Sequence, residues 1–186
     1  MKKQSLIPMI ILISLMSFSC GNREEHMAKL KETVQLEIET SMAQKADALK
    51  ETVRNFYSSL STAPNEDTAK GVALWMDNQW ESTPMPAGGP YLEGFVKTLH
   101  MFHGMIPDLQ WDVQEMLVDG NKVIVRSMAS GTPNSPEGYF FGTPTEGVKR
   151  FEVMTIDIHT VEDGKITKSF HVEDWLTAVQ QVNANE

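Results

Sequence analysis

A run of polar side chains near the carboxyl end of the chain has the residue types of an acid/base site. Thr155, Asp157 and His159 alternate with apolar residues, and Ser169 and His171 repeat the same spacing shortly afterwards. This period of two predicts two β-strands that each present these side chains on one face. A histidine beside a carboxylate is a tuned proton donor and acceptor near neutral pH. Asp157 and His171 are therefore the candidate catalytic pair, and the other three are candidates to bind polar substrate atoms.

The turn between these two strands decides whether their polar faces coincide, because a one-residue slip reverses every side chain. A type I turn with a G1 bulge at Gly164 would pair Asp157 with Ser169 and place His171 diagonally within reach of the carboxylate. We then expect Asp157 to raise the pKa of His171 above its ordinary value of about 6.5. A two-residue loop would instead pair Asp157 with Phe170 and separate the polar faces. A polar face is also typical of an antiparallel sheet with one solvated side.

The elements that position this hairpin follow from the spacing of apolar residues. Helices are predicted first and an antiparallel meander after them, which indicates an α+β fold with helices on one face of the sheet. Three aromatic residues, Trp80, Phe95 and Trp111, are candidates to wall a substrate pocket. The predicted elements are helices over 23–60, 67–76 and 91–102, a loop over 82–90, strands over 111–119, 123–130, 151–161 and 165–173, an irregular connection over 132–147, and a helix over 175–182.

The first twenty residues have the pattern of a bacterial export signal. Two lysines precede an uncharged run from Leu6 to Phe18, which is too short as a helix to cross a hydrocarbon core of about 30 Å. The only cysteine, Cys20, follows directly and resembles the lipidated residue of a lipobox, although Ser17 stands where that motif usually has leucine. We predict a lipoprotein signal peptide over 1–19 and a palmitate-type lipid anchor on Cys20 in the bacterial cell envelope. Secretion with nearby cleavage is the alternative.

Between the signal and the folded domain, the sequence predicts a helical tether. No proline or glycine occurs from Arg23 to Leu60, and apolar residues recur every three or four positions, although thinly before Met42. One helix or two helices in register would explain this pattern. We assign residues 20–44 to the tether and 45–186 to one domain, with a dimerising coiled coil as the alternative role of the tether.

Composition excludes several classes of function. The 186 residues carry 25 acidic and 16 basic side chains, a formal net charge of −9. An acidic chain without a long basic run is not suited to binding nucleic-acid phosphates. A single cysteine excludes an internal disulfide framework and a cysteine-rich zinc site.

A set of short motifs along the chain supports a family resemblance. These are Gly94, Phe102, Pro107-Asp108-Leu109, Gly131-Thr132, Gly142-Thr143-Pro144-Thr145, Asp163-Gly164-Lys165-Ile166 and Asp174-Trp175. Their order and spacing between about Asp67 and Val182 resemble the SnoaL-like polyketide cyclases, also called ester cyclases, of the nuclear-transport-factor-two-like superfamily. The resemblance implies a cone-shaped barrel, in which about three N-terminal helices wrap a curved antiparallel sheet around a deep pocket without metal or cofactor.

The resemblance also implies a chemistry. Members of the family close a polyketide ring by an intramolecular aldol reaction in which an aspartate moves the proton and a histidine assists. Aligned on Asp163-Gly164-Lys165-Ile166, the family's aspartate position falls on His171 and its histidine position on Asp157, so that the pair is exchanged. The family's usual histidine after Gly-Thr is Pro133 in this chain.

Two hypotheses of function follow from these residues. The first is a cofactor-free enzyme that removes a proton beside a carbonyl, with His171 as base and Asp157 orienting it. The second is a non-catalytic, envelope-anchored module that binds a small hydrophobic ligand or a protein. Under either hypothesis the partners are a small hydrophobic molecule and a membrane reached through the lipid anchor only, and a homodimer through the sheet is the further candidate.

Overall fold

A computed structural model describes residues 20–60, 66–134, 138–145 and 149–184. The chain divides into two compact units, Met1–Ala43 and Gln44–Glu186. The predicted signal segment lies outside the described residues. The described part of the first unit is helical, and its side chains from residue 23 onward are exposed except for half-buried Leu30. None of the helices among the described residues is long and apolar enough to cross a membrane.

The elements follow the predicted order, with helices before the meander. Of the two alternatives for the N-terminal stretch, one helix or two in register, the structure has one continuous helix. The elements are α1 (Cys20–Leu60), α2 (Glu66–Trp75), β1 (Met76–Thr83), α3 (Tyr91–Met105), β2 (Gln110–Asp119), β3 (Lys122–Gly131), β4 (Tyr139–Phe140), β5 (Thr143–Pro144), β6 (Phe151–Glu162), β7 (Lys165–Glu173) and α4 (Trp175–Asn183).

Five strands form one curved sheet in the order β1-β7-β6-β3-β2, and β4 pairs with β5 separately. All neighbours in the large sheet are antiparallel except β1 and β7, which are parallel. The predicted α+β class is thus confirmed, but the sheet is open and not a closed barrel. β1 was missed, because its polar Asp77-Asn78-Gln79 stretch does not alternate as a strand and only Met76 and Trp80 are buried.

The β6–β7 hairpin corrects the predicted register. Asp163 and Gly164 form a two-residue turn, with φ of 50° and 76°, and Glu162 pairs with Lys165. Since both central residues have positive φ, the turn is of the I′ kind and has no bulge at Gly164. The ladder shifts instead between Thr160 and Val161, so that Asp157 lies directly opposite His171 and not Ser169. This later bulge brings both polar faces together.

The inner face of the sheet is covered by helices on which apolar side chains recur at helical spacing. On α1, Val53, Phe56 and Leu60 are buried against Val125 of β3 and Ile166 of β7. A second core contains Phe140 and Phe151, together with residues of α4. Between these two apolar regions, the alternation of β6 turns Thr155, Asp157 and His159 inward, where they are buried.

Candidate active site

Asp157 lies at the centre of the buried polar residues. Its side chain, in a residue only 9% exposed, receives a hydrogen bond on Oδ2 from the Tyr57 hydroxyl at 2.7 Å and a longer one from Thr155 Oγ1 at 3.4 Å. Burial raises the pKa of Asp157 to about 6, although the Tyr57 hydrogen bond opposes the shift. Among the described residues, no hydrogen bond reaches Oδ1. As far as the described residues go, the lone pairs of Oδ1 are therefore open to another partner.

Tyr57 is held in one protonation state by the same contacts. Its hydroxyl is buried between Asp157 Oδ2 and His159 Nε2, at 2.7 and 3.3 Å. Burial first, and then the Asp157 charge and hydrogen bond, raise the pKa of Tyr57 well above 10. The phenol therefore keeps its proton at any physiological pH and acts as a hydrogen-bond donor.

His171 lies across the ladder from Asp157, but its own hydrogen bonds end elsewhere. Its Nδ1 is 2.8 Å from Glu173 Oε1, and its Nε2 is 3.2 Å from the backbone oxygen of Pro84. Burial disfavours the charged ring, yet the hydrogen bond and charge of Glu173, with Asp157 adding to them, raise the pKa of His171 above its ordinary value. Because both ring nitrogens face acceptors, the geometry is that of an imidazolium with both protons in place.

His159 is the opposite case on the neighbouring strand. Its Nδ1 is 2.8 Å from Ser169 Oγ, which also receives a hydrogen bond of 2.9 Å from Trp80 Nε1. Complete burial, and then the charge of His171, lower the pKa of His159 to about 3. The ring is therefore neutral under physiological conditions, with one donor and one acceptor nitrogen.

These groups line a cavity of about 80 Å³ whose remaining walls are mostly apolar. Trp80, Phe95 and Trp111, the three predicted wall residues, all line it. Its polar side is formed by Asp157, His159, Ser169, His171 and Glu173, and its other lining residues are Phe56, Tyr57, Leu60, Pro86, Thr98, Leu99 and Phe102. A few convergent polar groups in a mostly apolar concavity are typical of small-molecule sites.

The donor atoms of Asp157, His171 and Glu173 lie within 4.8 Å of one another, which is close enough for one metal ion. A metal-bound imidazole must offer an unprotonated nitrogen. Both nitrogens of His171 point at oxygen acceptors instead, Glu173 Oε1 and the Pro84 carbonyl. With both ring hydrogens in place, the His171 ring supplies a positive charge between the two carboxylates.

The sequence-predicted residues meet here with one exception. Thr155 does not line the cavity; it is buried behind Asp157 and shares a 2.6 Å hydrogen bond with Ser127. Sequence reasoning missed Tyr57 and left Glu173 without a role. The signal for Tyr57 is present, since it lies four residues after Val53 and places one hydroxyl on the otherwise apolar face of α1.

Comparison with known proteins agrees with this architecture. The family model for the SnoaL-like polyketide cyclases matches residues 47–182. No curated protein matches the chain.

Among solved structures, IdmH of Streptomyces antibioticus, a proposed polyketide cyclase, is 21% identical with a TM-score of 0.61, covering 73% of this chain and 99% of that one. A proposed polyketide cyclase of Bacillus cereus is 26% identical with a TM-score of 0.58, covering 73% and 80% of the two chains. AclR of Streptomyces galilaeus, a proposed hydroxylase, is 16% identical with a TM-score of 0.56, covering 72% and 94%. Because the family model spans most of the chain, this protein belongs to the SnoaL-like polyketide cyclase family.

Proposed function

We propose that the cavity binds a small hydrophobic molecule with a carbonyl group, and that Asp157 transfers a proton at the carbon next to it. The observation that carries this proposal is the buried Asp157 carboxylate, which takes its hydrogen bonds on Oδ2 and none on Oδ1 from the described residues. A carboxylate with a pKa of about 6 is ionised at neutral pH and binds a proton more strongly than an ordinary aspartate does. This assigns the base to Asp157 in place of His171.

The other polar groups suit the charge that such a step creates. When Asp157 takes the proton from carbon, the electron pair moves onto the carbonyl oxygen and an enolate forms. The His171 imidazolium, paired with Glu173, lowers the energy of this negative charge through the poorly screened interior. If the ligand has a second carbonyl, the enolate carbon attacks its carbon, and this new bond closes a ring. The proton on Asp157 then passes to the alkoxide that the attack creates.

The size of the cavity restricts the ligand. One water needs roughly 10–15 Å³ of cavity volume, so a cavity of about 80 Å³ holds about five to eight non-hydrogen atoms. Edge-to-face pairs such as Trp80 with Phe95, at 5.3 Å between ring centroids, fix the apolar wall. We therefore expect a small ketone or ester, or the reactive end of a longer ligand, and not a fully enclosed polycyclic product.

Proton exchange tests this function directly. The full chain is incubated in D₂O with cyclohexanone and other small ketones, and deuterium gain beside the carbonyl is followed by NMR. We expect exchange above background with the wild type, a loss of about 100-fold or more in Asp157→Asn, and no change in the control Asp119→Asn, an exposed residue at the end of β2. Binding without exchange in the wild type would leave a non-catalytic binding module, and mass spectrometry of co-purified molecules would identify its ligand.

We also propose that the protein is held at the bacterial envelope through a lipid on Cys20. Support comes from the sequence alone, in the two lysines, the uncharged run and the cysteine that follows it. Two or more acyl chains on one cysteine would anchor the chain stably at about 0.8 kcal/mol per buried methylene. Labelling cells with a lipid precursor tests this, because Cys20→Ser should abolish the label; a variant that keeps it would contradict the proposal.

The outer face of the sheet supports a homodimer as a further proposal. Met154, Phe170 and Val172 are exposed there by 51%, 42% and 63%. The basic Arg126 and Lys168 on this face each pair with a glutamate, at 3.4 and 3.2 Å. Exposed apolar side chains grouped on one sheet face are typical of a surface that packs against another protein copy. Light scattering of the wild type should give twice the monomer mass. Phe170→Glu should reduce this mass, whereas the control Leu176→Glu, at an exposed position of α4, should not.

A further inference from the structure

We infer that Trp80, Ser169 and His159 form a one-way hydrogen-bond chain that fixes the Tyr57 hydrogen on Asp157, which makes His159 a positioning residue for the base. The chain runs Trp80 Nε1, Ser169 Oγ, His159 Nδ1 and Nε2, Tyr57 Oη and Asp157 Oδ2, with steps of 2.9, 2.8, 3.3 and 2.7 Å. Its catalytic meaning rests on the proposed function, but its direction does not.

The direction begins at Trp80, because an indole nitrogen only donates. Ser169 accepts this hydrogen and has a single hydrogen of its own. If Ser169 donates to His159 Nδ1, every hydrogen in this part of the chain has an acceptor. If His159 Nδ1 donates instead, the Ser169 hydrogen has no acceptor among the described residues, and an unpaired buried hydroxyl is unfavourable.

The other end of the chain favours the same direction. Tyr57 has one hydroxyl hydrogen and two nearby groups that could accept it in this chain, Asp157 Oδ2 at 2.7 Å and His159 Nε2 at 3.3 Å. While Asp157 is ionised, the shorter contact to its carboxylate favours that hydrogen over the longer contact to His159 Nε2. With the hydrogen on Asp157, His159 Nε2 donates to the Tyr57 oxygen, and a neutral ring that donates from Nε2 accepts at Nδ1.

The consequence concerns Asp157, which neither Trp80 nor Ser169 is recorded as contacting. The chain commits the Tyr57 hydrogen to Oδ2 and so stabilises the ionised carboxylate, while no described residue donates a hydrogen bond to Oδ1. The charged neighbours are His171 and Glu173 of β7, whereas Tyr57 of α1 and His159 of β6 are neutral. On β3, Ser127 contributes only an uncharged hydroxyl near Tyr57.

Two NMR readouts on the full chain, without any ligand, test the inference. The two-bond proton–nitrogen couplings of ¹⁵N-labelled His159 report which ring nitrogen holds the hydrogen, and the ¹³C shift of the Asp157 carboxyl reports its titration. In the wild type we expect the Nε2–H form at pH 7 to 8, where Asp157 is ionised. The Nδ1–H form as the main species in the wild type would overturn the inference.

Trp80→Phe removes the first donor and keeps an aromatic ring, and Trp175→Phe removes an indole from the second core as the matched control. Without the indole hydrogen, Ser169 is free to accept from His159 Nδ1, so the Nδ1–H form should appear. The titration midpoint of Asp157 should then rise by about 0.5 pH units, because Tyr57 no longer points at it all the time. Trp175→Phe should change neither readout.

The variant Tyr57→Phe distinguishes the loss of the hydrogen-bond chain from a general loss of structure. It should raise the Asp157 midpoint by at least as much as Trp80→Phe does, with amide spectra that show an intact fold. Equal midpoints and tautomers in the wild type and in a folded Trp80→Phe would overturn the inference. Absence of ketone exchange would overturn only the proposed function, because the NMR readouts contain no substrate.

Discussion

Two regions that meet the inner face of the sheet differ in chemistry, since one is aromatic and the other is polar and ionisable. The aromatic end consists of Phe102, Phe140, Phe141, Phe151 and Trp175, whose ring centroids lie 4.7–6.1 Å apart. The polar segment consists of Asp157, His159, Ser169, His171 and Glu173. Strand β6 passes from one to the other within a few residues, since Phe151 and His159 are inward-facing positions of the same strand.

The difference shows what the polar segment costs. Burying aromatic rings stabilises the fold in proportion to the apolar area removed from water, at any pH. Burying carboxylates and histidines costs free energy unless hydrogen bonds and charges compensate, and the compensation changes with every proton gained or lost. Buried ionisable groups that lower the stability of the fold and also line a cavity are typical of a functional site.

The largest expected effect is on the aromatic end. Phe151 is 1% exposed, and Phe151→Ala should lower the free energy of unfolding by about 3–5 kcal/mol, because it removes contacts and leaves a cavity. This loss should be the same at pH 5 and pH 8, as measured by chemical denaturation. The exposed Leu176→Ala serves as the control and should change stability by less than about 0.5 kcal/mol. A loss that varied with pH would remove the contrast between the two regions.

Lowering the pH should reduce the free energy of unfolding through the protonation of His159. Its folded pKa of about 3 lies below the unfolded value of about 6.5, so its contribution to stability is present above pH 6.5 and is lost as pH falls. Between pH 6.5 and 4 this amounts to roughly 3 kcal/mol. His159→Gln, which cannot titrate there, should lose that much less stability over the same interval in denaturation curves. Parallel curves for the two proteins would show that His159 is not buried as a neutral ring.

Asp157 should act in the opposite direction. Its folded pKa of about 6 exceeds the unfolded value of about 3.9, so the stability that its protonation supplies is present below pH 3.9 and is lost as pH rises through about 6. Asp157→Asn removes this titration and still accepts the Tyr57 hydrogen. Relative to the wild type, the variant should therefore gain about 2–3 kcal/mol between pH 4 and pH 8 while losing activity. Equal pH dependence would place Asp157 in water.

The sequence predicted the class of fold, the order of its main elements and most of the polar segment, because these follow from periodicity. Alternation along β6 places Asp157 and His159 on one face whatever the rest of the chain does. The resemblance of the motifs from Gly94 to Trp175 supplied the family, which the match over 47–182 confirms.

The rest depends on long-range contacts that no local pattern encodes. The bulge in the β6–β7 ladder lies beyond the turn that was used to set the register, so the direct pairing of Asp157 with His171 was missed. Tyr57 reaches Asp157 across 100 residues of sequence. Glu173 becomes the partner of His171 only because both point inward near the end of β7.

The smallest effect distinguishes the two carboxylates beside His171. Glu173 holds the closer contact, 2.8 Å to Nδ1, and outweighs Asp157 in raising the pKa of His171. A raised folded pKa supplies stability that is present below pH 6.5 and lost as pH rises through the folded value. Glu173→Gln should therefore lower the His171 titration midpoint, followed by NMR, by more than Asp157→Asn does. If Asp157→Asn produced the larger decrease, the imidazolium would belong to Asp157 and the acid/base pair would be the one the sequence suggested.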